Sequence, residues 1–281
     1  LNHIEKVTMA VNYIESHLTE KVDLDMVAKA VHYSKYHLHR MFSKTVGQTI
    51  HDYLQRRQLT EAAKLLVFSE RSIIDIAMLS GYESQQAFTK SFAAFYKQPP
   101  NKYRENEKFY PLQLKFDFEG SYHMLNCKEN HQWDITFAQE KDIPGWMNLV
   151  RLVIDGFPYL QEDEHIQVLK QHINSNQALI LKDGDMAIGI MLFSYQTGSI
   201  DFMGTHPLYR NQGVPKAFLD KVMSELVKEK TISITTYREG DKADTGHRKA
   251  IKELGFAEAE LLVEFGYPTQ RFVLPQEDLN D

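Results

Sequence analysis

Cysteine is nearly missing from the 281 residues. With Cys127 alone, an intrachain disulfide or a cysteine-built zinc site is excluded, which suits a reducing compartment. Long hydrophobic runs are missing too. The longest, Ala187 to Phe193, is far too short to cross a bilayer, and the opening LNHIEKVTMA lacks the charged-then-apolar layout of a secretory leader. A soluble, cytoplasmic protein with no membrane partner is expected. The 12 histidines are scattered without a tight ligand cluster, so no metal is expected either. What is present is an ordinary globular composition, 43% hydrophobic and 25% charged, at a length that allows two domains. The formal charge of −6 is unevenly spread: residues 1–107 hold 14 Lys and Arg against 12 Asp and Glu, leaving −8 for residues 108–281. A near-neutral segment that binds phosphate must gather its positive charge on one face, whereas the acidic remainder repels it. That division favours a nucleic-acid module joined to a sensing or catalytic one.

Ile4, Val7, Val11, Ile14 and Leu18 recur at steps of three and four and predict an opening helix. Asp23 is placed to cap a short helix through Ala30, and Ser34 to cap one carrying Leu38, Met41, Phe42 and Val46 before Gly47. Two short helices joined by a tight turn fit a helix-turn-helix, whose second helix enters the major groove. A longer helix, roughly Thr49 to Val67, follows. The pattern then repeats: Ser72 caps, Gly81 turns, and Ser84 opens a helix with Phe88, Phe92 and Phe95 that Pro99-Pro100 stops. At about 1.5 Å per residue the connecting helix spans about 27 Å, which suits two reading helices about one DNA turn apart.

The stretches YSKYHLHRMF, GYESQQAFTKSF and QPPNKYR resemble the AraC/XylS family of transcriptional regulators, its MarA/SoxS/Rob subgroup in particular, over nearly all of residues 1–107. One departure is His32 where the family usually has a turn glycine, and a locally strained left-handed turn is expected there. The resemblance implies that Tyr36, His39 and Arg40 on the first reading helix, and Gln85, Gln86 and Lys90 on the second, face the groove. Arg suits a guanine edge and Gln an adenine edge. Lys35, Lys44, Lys102 and Arg104 are expected to hold phosphates. Arg57, on the connecting helix, is assigned to an internal ion pair. Double-stranded DNA and RNA polymerase are the implied macromolecular partners.

Residues 108–130 change character. YPLQLKFDFEG alternates as a strand does, with Leu112, Leu114, Phe116 and Phe118 on one face, so a linker containing a strand is expected. Residues 131–281 then alternate strands with helices and predict one mixed sheet flanked by helices. The expected strands are 135–139, 178–182, 187–195, 199–205, 231–237, 261–265 and 270–274; the expected helices are 143–157, 163–174, 214–228 and 245–254. The overall fold is thus an all-α double helix-turn-helix domain followed by an α/β domain.

Within the latter, IDFMGTHPLYRNQGVPKAFLDKVMSEL, TTYREGD, KELGF and GYPTQRFVLP resemble the GNAT acetyltransferase fold over about residues 131–275. That resemblance implies a cradle for the pyrophosphate of acetyl-CoA or a similar compound, formed by Arg210, Gln212, Gly213, Val214, Lys216 and Ala217, with Gly204 and Thr205 beside the pantetheine arm. Two departures stand out. Pro215 replaces a small residue of the turn and has no N–H, and Ile251 occupies the place of a tyrosine that serves many members as general acid. Tyr237 and Tyr209 are simpler as packing or rim residues, so no catalytic residue is assigned. Trp146, Phe157, Tyr159, Phe193, Tyr195 and Phe202 are candidates for an effector pocket, although each reads more simply as core. A DNA-binding regulator with a sensing GNAT-like domain leads this reading. The rival is a bifunctional regulator that transfers acyl groups from acyl-CoA, and a third reading is a structural fusion with neither ligand nor activity.

Overall fold

The computed structural model describes residues 3–118, 133–154, 161–210, 212–227 and 230–275. It forms two compact units, Leu1–Asn130 with Ile154–Leu160, and His131–Val153 with Gln161–Asp281. The described part of the first unit is helical: α1 (His3–Ser16), α2 (Leu24–Ala30), α3 (Lys35–Val46), α4 (Ile50–Phe68), α5 (Ile73–Leu79), α6 (Gln85–Tyr96) and α7 (Pro100–Glu105). Their starts are written locally. The side chains of Asp23, Ser34, Thr49, Ser72 and Ser84 each accept the N–H three residues on, from Met26, His37, Asp52, Asp75 and Ala87. Gly47 ends α3 at φ 78°, and His32 holds the first turn at φ 51°, the strained conformation its sequence position implies. Pro100 opens α7, where its missing N–H costs nothing.

One buried guanidinium ties this unit together. Arg57 on α4 donates through Nε and Nη2 to both oxygens of Glu15 on α1 at 2.8 and 2.9 Å, to Glu61 at 2.9 Å, and to the carbonyl of Gln113 at 3.0 Å. Tyr53 donates a further 2.7 Å bond to Glu15. Burial opposes the charge on Arg57, and Glu15 outweighs it, so the guanidinium is held above its ordinary pKa.

Residues 108–118 depart from expectation. They form no strand; the segment lies extended on the helices of the first unit, with Leu112, Phe116 and Phe118 buried and Phe116 stacked on Tyr53 at 5.3 Å. Its backbone donors find helix side chains instead of a ladder: the N–H groups of Leu112 and Gln113 both go to Thr60 Oγ1 at 3.1 Å, and that of Tyr110 to the Tyr103 hydroxyl. Leu114 of the expected face is only half-buried while Gln113 on the other side is buried, and among the described residues of this unit no strand offers a partner. The N-terminal unit therefore extends past residue 107, and the rest of the expected linker, 119–130, lies outside the described residues.

The second unit is a mixed sheet. Its elements are β1 (Ile135–Phe137), α8 (Ile143–Val153), α9 (Glu162–Asn174), β2 (Ala178–Asp183), β3 (Met186–Phe193), β4 (Ser199–Thr205), α10 (Val214–Lys221), β5 (Ser233–Tyr237), α11 (His247–Glu253), β6 (Ala257–Glu264) and β7 (Tyr267–Val273). The strand order is β1-β2-β3-β4-β5-β7-β6. Every pairing is antiparallel except β4 with β5, which run parallel and share only Ser199↔Ser233 and Ile200↔Ile234 before parting. Opposite Leu192 and Phe193, β4 carries one extra residue, Asp201. Gly189 on β3 is required by packing: a Cβ there would stand 2.6 Å from Phe218 and 2.8 Å from Val214, both on α10. The expected helix 214–228 is α-helical only to Lys221 and continues as a π turn over Val222–Leu226. The helix expected over 143–157 ends at Val153; 155–160 are not described.

Removing Glu15 leaves Arg57 buried without its two-pronged acceptor. Glu15→Ala is expected to cost about 3–5 kcal/mol in urea unfolding of the N-terminal transition; a loss below about 1 kcal/mol would show that Arg57 is not the tie described here.

Candidate nucleic-acid interface

The sequence-expected reading residues lie on the outer faces of α3 and α6. Lys35, Tyr36, His39, Arg40 and Lys44 on α3, and Gln85, Gln86 and Lys90 on α6, are all exposed, Tyr36 at 87%. Opposite them each helix is nailed to the core, α3 by Leu38, Met41, Phe42 and Val46 and α6 by Phe88, Phe92 and Phe95. Among the described residues Arg40, Lys44, Lys90 and Lys102 make no ion pair with a carboxylate, so their charge faces solvent. Lys35 differs: it pairs with Asp25 at 2.8 Å, and that hydrogen bond raises its pKa. Arg104 differs more. Its Nε donates to the carbonyl of Leu66 at 3.1 Å and its Nη2 to that of Arg71 at 2.6 Å, so it closes the C-terminal end of α4 and is committed to the fold, against the expectation that it holds phosphate. Sequence reasoning passed over His37, which is exposed one turn before Arg40 with Nε2 3.4 Å from Nη2. The i, i+3 spacing of the two was the available signal.

In the second unit β4 leads through a short 3-10 turn, Pro207–Tyr209, into α10. Gly213 precedes α10 at φ 75°, no side chain caps the helix, and a Cβ at Gly213 would meet nothing within 4 Å. Gln212, Gly213 and Lys216 are exposed, Arg210 and Ala217 half-buried; Lys216 pairs with Asp220 at 3.1 Å, and Gln212 turns back to the Leu208 carbonyl. Val214 is buried against the Gly189 face, and Pro215 stands in the first turn without an N–H. Gly204 is buried with Val153 and Ile190 against its Cα, Thr205 half-buried beside it. Ile251, Tyr237 and Tyr209 are core residues, and the Tyr209 hydroxyl donates to Asp183 at 2.6 Å. Of the proposed pocket aromatics Trp146 and Phe193 are fully buried, Tyr195 and Phe202 half-buried; Phe157 and Tyr159 lie outside the described residues.

A family described as a helix-turn-helix domain matches residues 27–106. The regulatory protein SoxS of Salmonella typhimurium is 38% identical over 104 residues, which span 97% of that protein and 37% of this chain. The chain belongs to the AraC/XylS family. The multiple antibiotic resistance protein MarA of the same organism is 39% identical, over 73% of its length. The HTH-type regulator YbfP of Bacillus subtilis is 41% identical over 98 residues, so the chain spans about a third of that relative. Among solved structures, an AraC-type regulator from Chromobacterium violaceum matches 37% of the chain at 26% identity and a TM-score of 0.36. A GNAT-family acetyltransferase from Bacillus cereus matches 51% at 15% identity and a TM-score of 0.40. Among the described residues no helix is long and apolar enough to cross a membrane.

This AraC/XylS regulator thus joins a DNA-binding domain to a mixed-sheet unit, which carries its own titrating pair on α9. His172 has Nδ1 2.9 Å from the Val168 carbonyl and Nε2 3.3 Å from Asp201; two oxygen acceptors favour the imidazolium and raise its pKa. His165 accepts a bond from Trp146 Nε1 at 3.2 Å, and burial, helped by His172, pulls it down to about 4. A raised histidine stabilises the fold below its unfolded value near 6.5 and ceases to do so as pH rises through the folded value; a lowered one destabilises the fold as pH falls below about 6.5. His172→Asn is accordingly expected to lose more stability at about pH 5.5 than at about pH 8, and His165→Gln the reverse. Parallel pH profiles for wild type and both variants would contradict this assignment.

Proposed function

We propose that the chain reads duplex DNA by sequence through α3 and α6, and that its C-terminal unit is a GNAT-like sensor for an acyl-CoA-like effector. The observation that carries the first half is the pair of exposed polar faces on α3 and α6, which flank one continuous helix of 19 residues. Arg40 and Gln86 read base edges in this view, with Tyr36, His39, Gln85 and Lys90 beside them, while Lys44 and Lys102 neutralise phosphate. Arg40→Ala and Gln86→Ala should each relax base preference at a different part of the site by ~1–3 kcal/mol, whereas Lys102→Ala weakens all sequences alike. Binding-site selection followed by titration at several salt concentrations measures this; equal losses on specific and random duplex for all three variants would remove the division between reading and positioning.

The second half rests on the parting of β4 from β5 after two residue pairs, next to the uncapped start of α10. A parallel pair that opens at its carboxyl ends makes a crevice of the kind in which α/β sheets take ligands, and the free N–H groups at the start of α10 suit a pyrophosphate. The residues present fit such a group: Arg210 brings a positive charge, Gly213 leaves room, and Gly213, Val214 and Lys216 carry backbone N–H groups at the uncapped helix start while Pro215 carries none. An acyl-CoA bound there brings an activated thioester. On the protein side, proton transfer is worth about 10²–10⁴-fold, and buried Ile251 cannot supply it. Acetyl-CoA is therefore expected to raise the thermal midpoint of the intact chain while hydrolysis and transfer to polyamines stay at background, and Gly213→Glu to abolish the shift. Turnover by wild type that Gly213→Glu removes would instead make the chain a bifunctional acyltransferase, and no shift with any CoA compound would leave the unit without a ligand.

A further inference from the structure

The two helix-turn-helix units differ at the turn. A Cβ on Gly81, at φ 76°, would stand 2.6 Å from Gln58 Nε2 and 3.3 Å from the Glu20 carbonyl, so the second turn has no room for a side chain. His32, at φ 51°, is exposed. Around it opens a recess of about 600 Å³ lined by Ala28, Lys29, His32, Tyr33, Ser34 and His37.

The recess holds one ammonium, Lys29, and no carboxylate lines it. Lys29 has no ion-pair partner among the described residues. The acidic residues of the same helix start are engaged elsewhere, Asp23 on the Met26 N–H at 2.9 Å and Asp25 on Lys35 at 2.8 Å. Tyr33 forms part of the wall, with Lys6 Nζ 5.7 Å from its ring centre and His37 edge-on at 5.7 Å. Arg40 adjoins His37. In the second unit the residue three before the turn is Met78, and the residue that follows Tyr82 is Glu83, paired with Lys21. Only the first unit presents this set of donors, and it does so at the foot of α3, beside the groove-facing residues.

We propose that the Lys29, His32 and His37 recess receives a backbone phosphate of the DNA, so that the first unit is clamped to the duplex at a point where the second is not. The proposal rests on the DNA reading above. An ammonium beside two imidazoles around one open volume suits the tetrahedral oxygens of a phosphodiester, His37 through Nδ1 since its Nε2 faces the donor Arg40, and such a contact is made without regard to base.

The test titrates the intact chain against a mixed-sequence duplex by fluorescence anisotropy across a salt series. Lys29→Ala is expected to lower the slope of log affinity against log salt by about 1. His32→Gly should weaken binding roughly threefold to tenfold, the span of one hydrogen bond, with no fall in thermal midpoint because glycine accepts the positive φ. Unchanged slope and affinity in both variants, with wild type bound, would overturn the recess alone; wild type that fails to bind duplex at low salt would overturn the DNA reading with it. Inorganic phosphate at matched ionic strength provides the remaining arm. A thermal shift with phosphate that both variants lose, alongside unaltered duplex binding, would assign the recess to a small free anion and also refute the proposal.

Discussion

The Arg57 guanidinium is the interaction on which the N-terminal unit depends. Its four hydrogen bonds reach α1, its own helix and the extended segment at Gln113, three pieces of chain that share no backbone hydrogen bonds with one another. Hydrophobic burial brings these pieces together but does not specify how they slide; a planar fork that must meet both oxygens of one carboxylate does. Fixing α1 against α4 fixes the first helix-turn-helix that packs between them, through the Phe42–Tyr53 and Tyr53–Phe116 ring contacts. The second is fixed from the other side, where Gln58 donates to the Leu18 carbonyl and abuts Gly81. Neighbouring faces of α4 thus set both helix-turn-helix units.

In the C-terminal unit the comparable constraint is the glycine at 189. With hydrogen in place of a side chain, α10 can lie flat on β3, which brings Val214 and Phe218 into the core and presents the start of α10 beside the end of β4. β5 pairs with β4 only near its beginning, at Ser199↔Ser233 and Ile200↔Ile234.

Features decided by neighbours in sequence were legible in advance. The caps at Asp23, Ser34, Ser72 and Ser84, the left-handed His32 and the inward faces of α3 and α6 are local matters of hydrogen bonding and period, and they stand where the residues said. The internal role of Arg57 was legible from its place on the connecting helix, away from both groove-facing sets. The misreadings have one source, distant partners. Residues 112–118 alternate, but what they meet is Thr60 and Tyr53, not a strand; Arg104 reads as a surface cation until the carbonyls of Leu66 and Arg71 are placed before it. The recess at His32 escaped notice because its members come from α2, the turn and α3, and their outer positions carry no periodic signature.

The continuous α4 carries a consequence for the binding site on DNA. A helix of 19 residues without proline or glycine is about 28 Å of stiff rod, and both reading helices are packed to it. On the proposed DNA reading, the distance and rotation between the two groove segments are therefore built into the protein. Duplex DNA turns by about 34° for each base pair, since about 10–10.5 pairs complete a turn. A single inserted pair between the two half-contacts moves the second out of helical phase, and α4 has no hinge with which to follow it. Base changes within either half can be graded in their effect, but a change in spacing has only a narrow window in which both halves are still engaged by one molecule.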